Sequence, residues 1–125
     1  MAAILVVDDD PSVLKYVKGV LKAAGHDVSE ATNGRECMIA LKDRPVDLLV
    51  TDIIMPEQEG METIRTLRRD GNSLKIIAMT GGLPGGPTDL VKMAKMMGAD
   101  RALGKPFMPA DLLAAVNDVL GAAPA

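Results

Sequence analysis

The chain has 125 residues, 48% of them hydrophobic, which is enough for one folded domain with its own core. Its net charge of −3 and its scattered basic residues exclude the basic patch of a nucleic-acid-binding protein. No apolar run approaches the roughly 20 residues of a membrane span, and the N-terminus lacks the pattern of a targeting peptide. The single cysteine, Cys37, excludes an internal disulfide and is interpreted as a small hydrophobe within a helix. We therefore expect a cytoplasmic protein without nucleic-acid or membrane partners.

Short apolar segments alternate five times with segments of helical periodicity. The predicted strands are 4–7, 28–31, 46–51, 75–79 and 101–103. The first, third and fourth are almost continuously apolar, which is typical of strands that are buried on both faces of a sheet.

The segments between these strands predict helices. Asp10 and Pro11 are the residue types of a helix cap and a first helical position, and an apolar stripe then runs to a stop at Gly25. The remaining predicted helices are 34–43, 61–70, 88–97 and 109–120. Each strand–helix–strand connection is long enough for a right-handed crossover, so the pattern predicts an α/β protein with a doubly wound, five-stranded parallel sheet and helices on both faces. The domain is expected to cover 1–121, with 122–125 as a short flexible tail.

Polar residues stand at the carboxyl ends of four predicted strands, the edge at which doubly wound sheets bind ligands. They are Asp8, Asp9 and Asp10 after the first strand, Asp52 at the third, Thr80 at the fourth and Lys105 after the fifth. Asp10 is interpreted as the helix cap that precedes Pro11. Because neighbouring strands lie about 5 Å apart, we expect Asp8 and Asp9 to lie near Asp52.

Such a cluster of acids needs a compensating charge. Carboxylates about 4 Å apart repel each other by about 4 kcal/mol at an effective dielectric constant of 20. Mg²⁺ suits the cluster because it prefers oxygen ligands, and Mn²⁺ could substitute for it. A carboxylate that attacks a phosphoryl group also needs partners for the phosphoryl oxygens, and Lys105 and Thr80 could serve. Taken singly, each of these two residues also fits an ordinary turn or strand end.

Four motifs, in this order, resemble those of bacterial two-component receiver domains, and the resemblance covers residues 3–120. They are Val6-Val-Asp-Asp-Asp-Pro11, Thr51-Asp-Ile-Ile-Met-Pro56 followed by Glu59-Gly60, Met79-Thr80-Gly81, and Gly104-Lys-Pro-Phe107. The resemblance implies the flavodoxin-like (βα)5 receiver fold. It also implies a cofactor, Mg²⁺, and a set of residue roles.

In those roles Asp52 is the phospho-acceptor and a metal ligand. Asp9 binds Mg²⁺ directly, Asp8 binds it largely through water, and the backbone carbonyl of Ile54 is a further ligand. Thr80 is the hydroxyl that responds to the phosphoryl group. The resemblance also makes Lys105 the phosphate-binding cation, ahead of a cis Lys105–Pro106 bond.

The function implied is that of a single-domain response regulator similar to chemotaxis regulators. A sensor histidine kinase or a histidine phosphotransfer protein would supply the phosphoryl group. The output would be contact with an unknown downstream protein, a phosphorelay, or action as a phosphate sink. Such a protein catalyses only its own phosphorylation and dephosphorylation and is not an enzyme in the usual sense.

One departure from the family concerns the conformational response. Receiver domains usually carry an aromatic residue three positions before the lysine, and it moves inward when the threonine engages the phosphate. This chain has Ala102 at that position. We therefore expect the glycine-rich segment 81–87 to take over part of the response.

Three alternatives use the same kind of fold. Asp8 and Asp10 also resemble the acid motif of haloacid-dehalogenase-like Mg²⁺-dependent phosphatases, but Ser12 and the missing cap domain depart from it, and the motif around Asp52 is left unexplained. A flavodoxin-type flavin site needs a hydroxyl-rich loop after the first strand, where this chain has acids. A receiver-like binding module that is never phosphorylated does not account for the joint presence of the acids, Thr80 and Lys105.

Overall fold

Strands and helices alternate along the chain in a computed structural model, which describes residues 2–52, 59–71, 74–81, 92, 96 and 98–121. The elements are β1 (Ala3–Val7), α1 (Pro11–Ala23), β2 (Asp27–Ala31), α2 (Gly34–Asp43), β3 (Leu48–Asp52), α3 (Glu59–Arg69), β4 (Lys75–Gly81), β5 (Arg101–Lys105) and α4 (Pro109–Val119). Of the predicted helix 88–97, only Lys92 and Met96 are described, and both are helical. The predicted tail 122–125 lies outside the described residues. None of the described helices has the length and apolar character needed to cross a bilayer.

The five strands form one parallel sheet in the order β2-β1-β3-β4-β5. This confirms the predicted doubly wound, five-stranded parallel sheet. The chain runs from β1 outward to β2 and then returns to the other side of β1 to form β3. The strand order therefore reverses between β1 and β3, which is where such sheets bind ligands. Val7 pairs with Thr51 at this boundary, so the residues that follow β1 meet the end of β3.

Alternate side chains of the strands enter two separate cores, one on each face of the sheet. Ile4 and Val6 of β1 pack with α1 and α4 in a core completed by Leu14, Val17, Leu21, Val28, Leu48, Val50, Ile77, Met79, Leu103, Leu112, Ala115 and Val116. Leu5 and Val7 pack on the other face with α2 and α3, together with Ala31, Cys37, Leu49, Ile64, Leu67, Ile76 and Ala78. Helices therefore cover both faces, as predicted. Burial of each aliphatic side chain stabilises the folded protein by about 1.5–3 kcal/mol. The two cores therefore fix the positions of the strands, including the carboxyl ends at which the polar residues lie.

Helix α1 begins only four residues after β1 ends, and its cap explains why. The carboxylate of Asp10 accepts a hydrogen bond of 2.8 Å from the backbone N–H of Ser12, and Pro11 occupies the first turn. This bond lowers the pKa of Asp10. Asp10 is therefore used in the helix cap, as predicted. Asp8 and Asp9 are the two other acids between β1 and α1, and they remain as candidate site residues.

Several boundaries differ from the predictions. Strand β3 begins at Leu48 and not at residue 46, and α3 begins at Glu59 and not at residue 61. Strands β4 and β5 each run two residues further than predicted, because Thr80 pairs with Gly104 and Gly81 with Lys105. Thr80 is therefore inside β4, and Lys105 is the last residue of β5.

Candidate functional site

Three carboxylates meet at the carboxyl ends of β1 and β3. Asp8 is fully buried, Asp52 is 4% exposed, and Asp9 is exposed to solvent. Asp8, Asp9 and Asp52 each offer a carboxylate oxygen, and these oxygens lie within 4.8 Å of one another. The expected proximity of Asp8 and Asp9 to Asp52 is confirmed.

Lys105 brings its ammonium into this cluster. Its Nζ lies 2.7 Å from Oδ2 of Asp8 and 3.4 Å from Oδ2 of Asp52. Burial by itself would lower the pKa of Lys105, but the hydrogen bond to Asp8 and the negative charges of Asp52 and Asp8 outweigh it, so the pKa is raised. The lysine is therefore held as a cation beside two buried carboxylates.

The adjacent acids Asp8 and Asp9 have different surroundings. Both oxygens of Asp8 are engaged, since Oδ1 accepts a hydrogen bond of 2.9 Å from the N–H of Asp10 and Oδ2 accepts one from Lys105. The backbone of Asp8 also continues the sheet, because its N–H donates to the carbonyl of Ala31. Asp9 faces solvent. Of the two acids, Asp9 is thus the more accessible to an ion from solution.

The hydroxyl of Thr80 stands out among the described residues. Thr80 is 2% exposed, and its Oγ1 has no hydrogen-bond partner in the described part of the structure. A buried hydroxyl left unpaired in this way costs about 1–3 kcal/mol. Thr80 pairs with Gly104, the residue before Lys105, so this unpaired donor belongs to the same rim as the ammonium.

The donor set fits a divalent cation such as Mg²⁺ or Mn²⁺. Carboxylate oxygens are the ligands that Mg²⁺ prefers, and opposite ligands of its octahedron lie about 4 Å apart. The spacing of up to 4.8 Å among the three carboxylates is therefore compatible with one ion that is bound partly through water. The proposed carbonyl ligand, Ile54, lies outside the described residues.

The structure also describes other residues near these strand ends. Ala102 is half-buried and pairs with Ala78. The Lys105–Pro106 bond is cis, as the resemblance implied. Sequence reasoning missed Tyr16, whose hydroxyl donates a hydrogen bond of 2.8 Å to the carbonyl of Phe107, just beyond Lys105. The only available signal was that the chain has one tyrosine and one phenylalanine.

Comparison with known proteins decides the family. The family model of the response regulator receiver domain matches residues 4–117 of this chain. The chain belongs to this family. Receiver domains are the phospho-acceptor modules of two-component systems and are phosphorylated by histidine kinases, so the chain is a receiver domain of that signalling class. The comparisons do not favour the phosphatase or the binding-module alternative.

Individual relatives agree with this assignment. The chemotaxis protein CheY of Thermotoga maritima is 33% identical over 117 residues, which cover 93% of this chain and 95% of that protein. The DNA-binding response regulator MtrA of Mycolicibacterium smegmatis is 34% identical over 116 residues, but they cover 91% of this chain and only 48% of MtrA. The chain thus spans about half the length of that relative. Among solved structures, the chemotaxis response regulator CheY4 of Vibrio cholerae has a TM-score of 0.84 at 29% identity, covering 95% of this chain and 98% of CheY4.

Proposed function

We propose that Asp52 of this receiver domain accepts a phosphoryl group from a phosphohistidine. The donor would be a sensor histidine kinase or a histidine phosphotransfer protein. The observation that carries the proposal is the arrangement around Asp52. Its carboxylate lies within 4.8 Å of those of Asp8 and Asp9, and 3.4 Å from the ammonium of Lys105.

In the proposed reaction a carboxylate oxygen of Asp52 attacks the phosphorus atom. A new O–P bond forms, the P–N bond to the imidazole breaks, and the departing nitrogen takes a proton from solvent. Water later attacks the same phosphorus, which releases inorganic phosphate and restores the carboxylate. Both steps gather negative charge on the phosphoryl oxygens, so they depend on cations and hydrogen-bond donors that are already in place.

The surrounding residues would provide these partners. Lys105 would transfer a hydrogen bond from Asp8 to one phosphoryl oxygen, and the unpaired hydroxyl of Thr80 would donate to another. Asp9 and Asp52, with Asp8 mainly through water and the carbonyl of Ile54, would hold Mg²⁺ or Mn²⁺. When bound, this ion neutralises charge on the acids and on the incoming phosphoryl group. The role of Ile54 rests on the family resemblance.

The signalling output would be a protein contact that depends on phosphorylation, a phosphorelay, or action as a phosphate sink. We place this activity in the cytoplasm, where the catalytic parts of histidine kinases can reach a receiver domain. The relative MtrA is named a DNA-binding regulator, but the 125 residues carry a net charge of −3 and their basic residues are scattered along the sequence. We therefore propose a protein, and not a nucleic acid, as the direct target of these residues.

Intact mass measurement tests the proposed acceptor. The protein is incubated with Mg²⁺ and a small donor such as acetyl phosphate, which needs no docking surface. We expect one added phosphoryl group, which is lost when a chelator is present and lost in Asp52→Asn. Asp47→Asn is the matched control, because Asp47 lies outside the cluster and its carboxylate accepts the N–H of Ala3 at the opposite edge of the sheet. Labelling that survives in Asp52→Asn would refute the assignment, and steady turnover of an external phosphoester would support the phosphatase alternative instead.

A further inference from the structure

The one tyrosine and the one phenylalanine of the chain contact each other beside the site. The hydroxyl of Tyr16 donates a hydrogen bond of 2.8 Å to the backbone carbonyl of Phe107, across 91 residues of sequence. The two ring centroids are 5.9 Å apart, and the ring planes are tilted by 50°. Tyr16 belongs to α1, whereas Phe107 lies in the turn between β5 and α4.

This contact links the segment next to the negatively charged Asp8 and Asp9 to the segment next to the positively charged Lys105. Phe107 follows Lys105 by two residues, and α1 follows Asp8 and Asp9 almost directly. Tyr16, Lys105 and Phe107 also line one surface groove, together with Ser12, Val13 and Pro106. Lys105 and the turn that follows it are thus linked to residues 8–16 at two points, by the ion pair of Lys105 with Asp8 and by the hydrogen bond from Tyr16 to Phe107.

The ion pair between Lys105 and Asp8 and the hydrogen bond between Tyr16 and Phe107 behave differently during the proposed reaction. When Lys105 donates to a phosphoryl oxygen, it gives up its bond to Asp8, so that link no longer holds the turn. The link from Tyr16 ends on a backbone carbonyl and involves none of the reacting groups, so it persists. We propose that Tyr16 is a positioning residue, which keeps the turn against α1 so that Lys105 points at the phosphoryl group. This inference rests on the proposed function.

The exposure of the two rings indicates that this role is separate from folding. Phe107 packs against the core, but Tyr16 is 39% exposed. Water can therefore replace the hydroxyl of Tyr16, and Tyr16→Phe keeps the ring contact while it removes the hydrogen bond. The variant is expected to fold, which makes it a clean probe of the hydroxyl.

The experiment compares wild type, Tyr16→Phe and the control Asp47→Ala, all as the full chain. Asp47→Ala also removes one hydrogen bond between distant segments, but this bond lies at the amino ends of β1 and β3, away from the site. Three quantities are measured for each protein. They are the rate at which acetyl phosphate labels Asp52, the affinity for beryllofluoride with Mg²⁺ present, and the affinity for Mg²⁺ alone by calorimetry. Beryllofluoride serves because it occupies a phosphoryl position without a chemical step.

In Tyr16→Phe we expect the labelling rate and the beryllofluoride affinity both to fall about fivefold, the factor that one hydrogen bond of ordinary strength provides. The Mg²⁺ affinity should stay within about twofold, because the carboxylates are not touched. Asp47→Ala should leave all three quantities at the wild-type level, whatever it does to the melting temperature. This split between phosphoryl and metal affinity is not expected of a residue that serves only folding.

Two results would overturn the inference. One is a Tyr16→Phe variant with wild-type labelling rate and beryllofluoride affinity. The other is an equal loss of Mg²⁺ affinity, which would mean general damage to the acid cluster. If wild type itself is not labelled at Asp52, the proposed function fails first. If wild type is labelled and Tyr16→Phe is labelled equally fast, only the role of Tyr16 fails.

Discussion

Lys105 donates a hydrogen bond of 2.7 Å to Asp8, although 97 residues separate the two in sequence. The same ammonium lies 3.4 Å from Asp52, so one positive charge serves two buried carboxylates, and Asp9 adds a third negative charge nearby. The cluster therefore keeps a net negative charge when no metal is bound.

This excess charge predicts that removing one acid stabilises the metal-free protein. The unfolded chain separates the acids and does not experience their repulsion. Asp52→Asn should raise the free energy of unfolding by about 1–2 kcal/mol in the presence of a chelator, and it should abolish phosphorylation. Asp9→Ala should act in the same direction but more weakly, because Asp9 is exposed.

Magnesium should narrow the difference in stability between wild type and these two variants. At ten times its dissociation constant, Mg²⁺ should stabilise wild type by about 1.4 kcal/mol, and both variants by less. Thermal melts of the three proteins with chelator and with Mg²⁺ measure both effects. If both variants melt clearly below wild type in chelator, the acids are not crowded as argued here.

The small side chain of Ala102 predicts where the protein changes when a phosphate mimic binds. Ala102 is half-buried in β5 against Ala78, and a methyl group has no inward and outward positions to exchange. Beryllofluoride should therefore alter hydrogen exchange in 101–104 less than in 81–87, a segment that lies outside the described residues beyond Gly81. Thr80→Ala is the control, because loss of the hydroxyl should remove the change in 81–87. Equal changes in the two segments would count against the prediction.

Gly98 predicts a second effect on stability, unrelated to the phosphoryl site. Arg68 donates hydrogen bonds to the carbonyls of Gly98 and Leu74 and to the carboxylate of Asp100. Gly98 has a φ of +95°, and a Cβ placed there would lie 2.8 Å from Cγ of Arg68. Gly98→Ala should therefore lower the free energy of unfolding by about 2 kcal/mol, from the left-handed backbone and from displacement of Arg68 together.

A matched glycine separates these two causes. Gly71 also has a positive φ, of +77°, but nothing lies within 4 Å of its added Cβ. Urea unfolding of Gly71→Ala should show a loss of only about 1 kcal/mol. In an Arg68→Ala background, Gly98→Ala should cost no more than Gly71→Ala does. A full cost for Gly98→Ala in that background would exclude Arg68 as the cause.

Burial of Cys37 predicts a loss of stability at high pH. The side chain is fully buried, and desolvation raises the pKa of its thiol from 9.0 to about 12. Because the folded pKa lies above the unfolded one, this contribution is complete below about pH 9 and is lost as the pH rises towards 12. At pH 10 the unfolded chain gains about 1.4 kcal/mol from ionising the thiol. The difference in unfolding free energy between wild type and Cys37→Ala should narrow by that amount between pH 8 and pH 10. Parallel curves for the two proteins would contradict the buried thiol.

The amino-acid sequence by itself determined the sheet, most of the helices and the meeting of the acids. Continuous apolar runs mark strands buried on both faces, and Asp10 with Pro11 marks the start of α1, because these signals act between residues close in the chain. Since parallel strands present their carboxyl ends at one edge, the sequence also placed Asp8 and Asp9 beside Asp52. The strand boundaries were less accurate, because β4 and β5 continue for as long as they have a partner, as Thr80 does in Gly104.

Only the tertiary structure decided how these residues divide their roles. Asp8 and Asp9 are the same residue type side by side, yet one is fully buried beneath Lys105 and the other faces solvent. The hydrogen bond from Tyr16 to Phe107 and the contacts of Arg68 with Gly98 join segments 91 and 30 residues apart. Such contacts follow from how helices settle on the sheet. Their net contributions of about 1 kcal/mol each are too small to impose a recognisable pattern on the sequence.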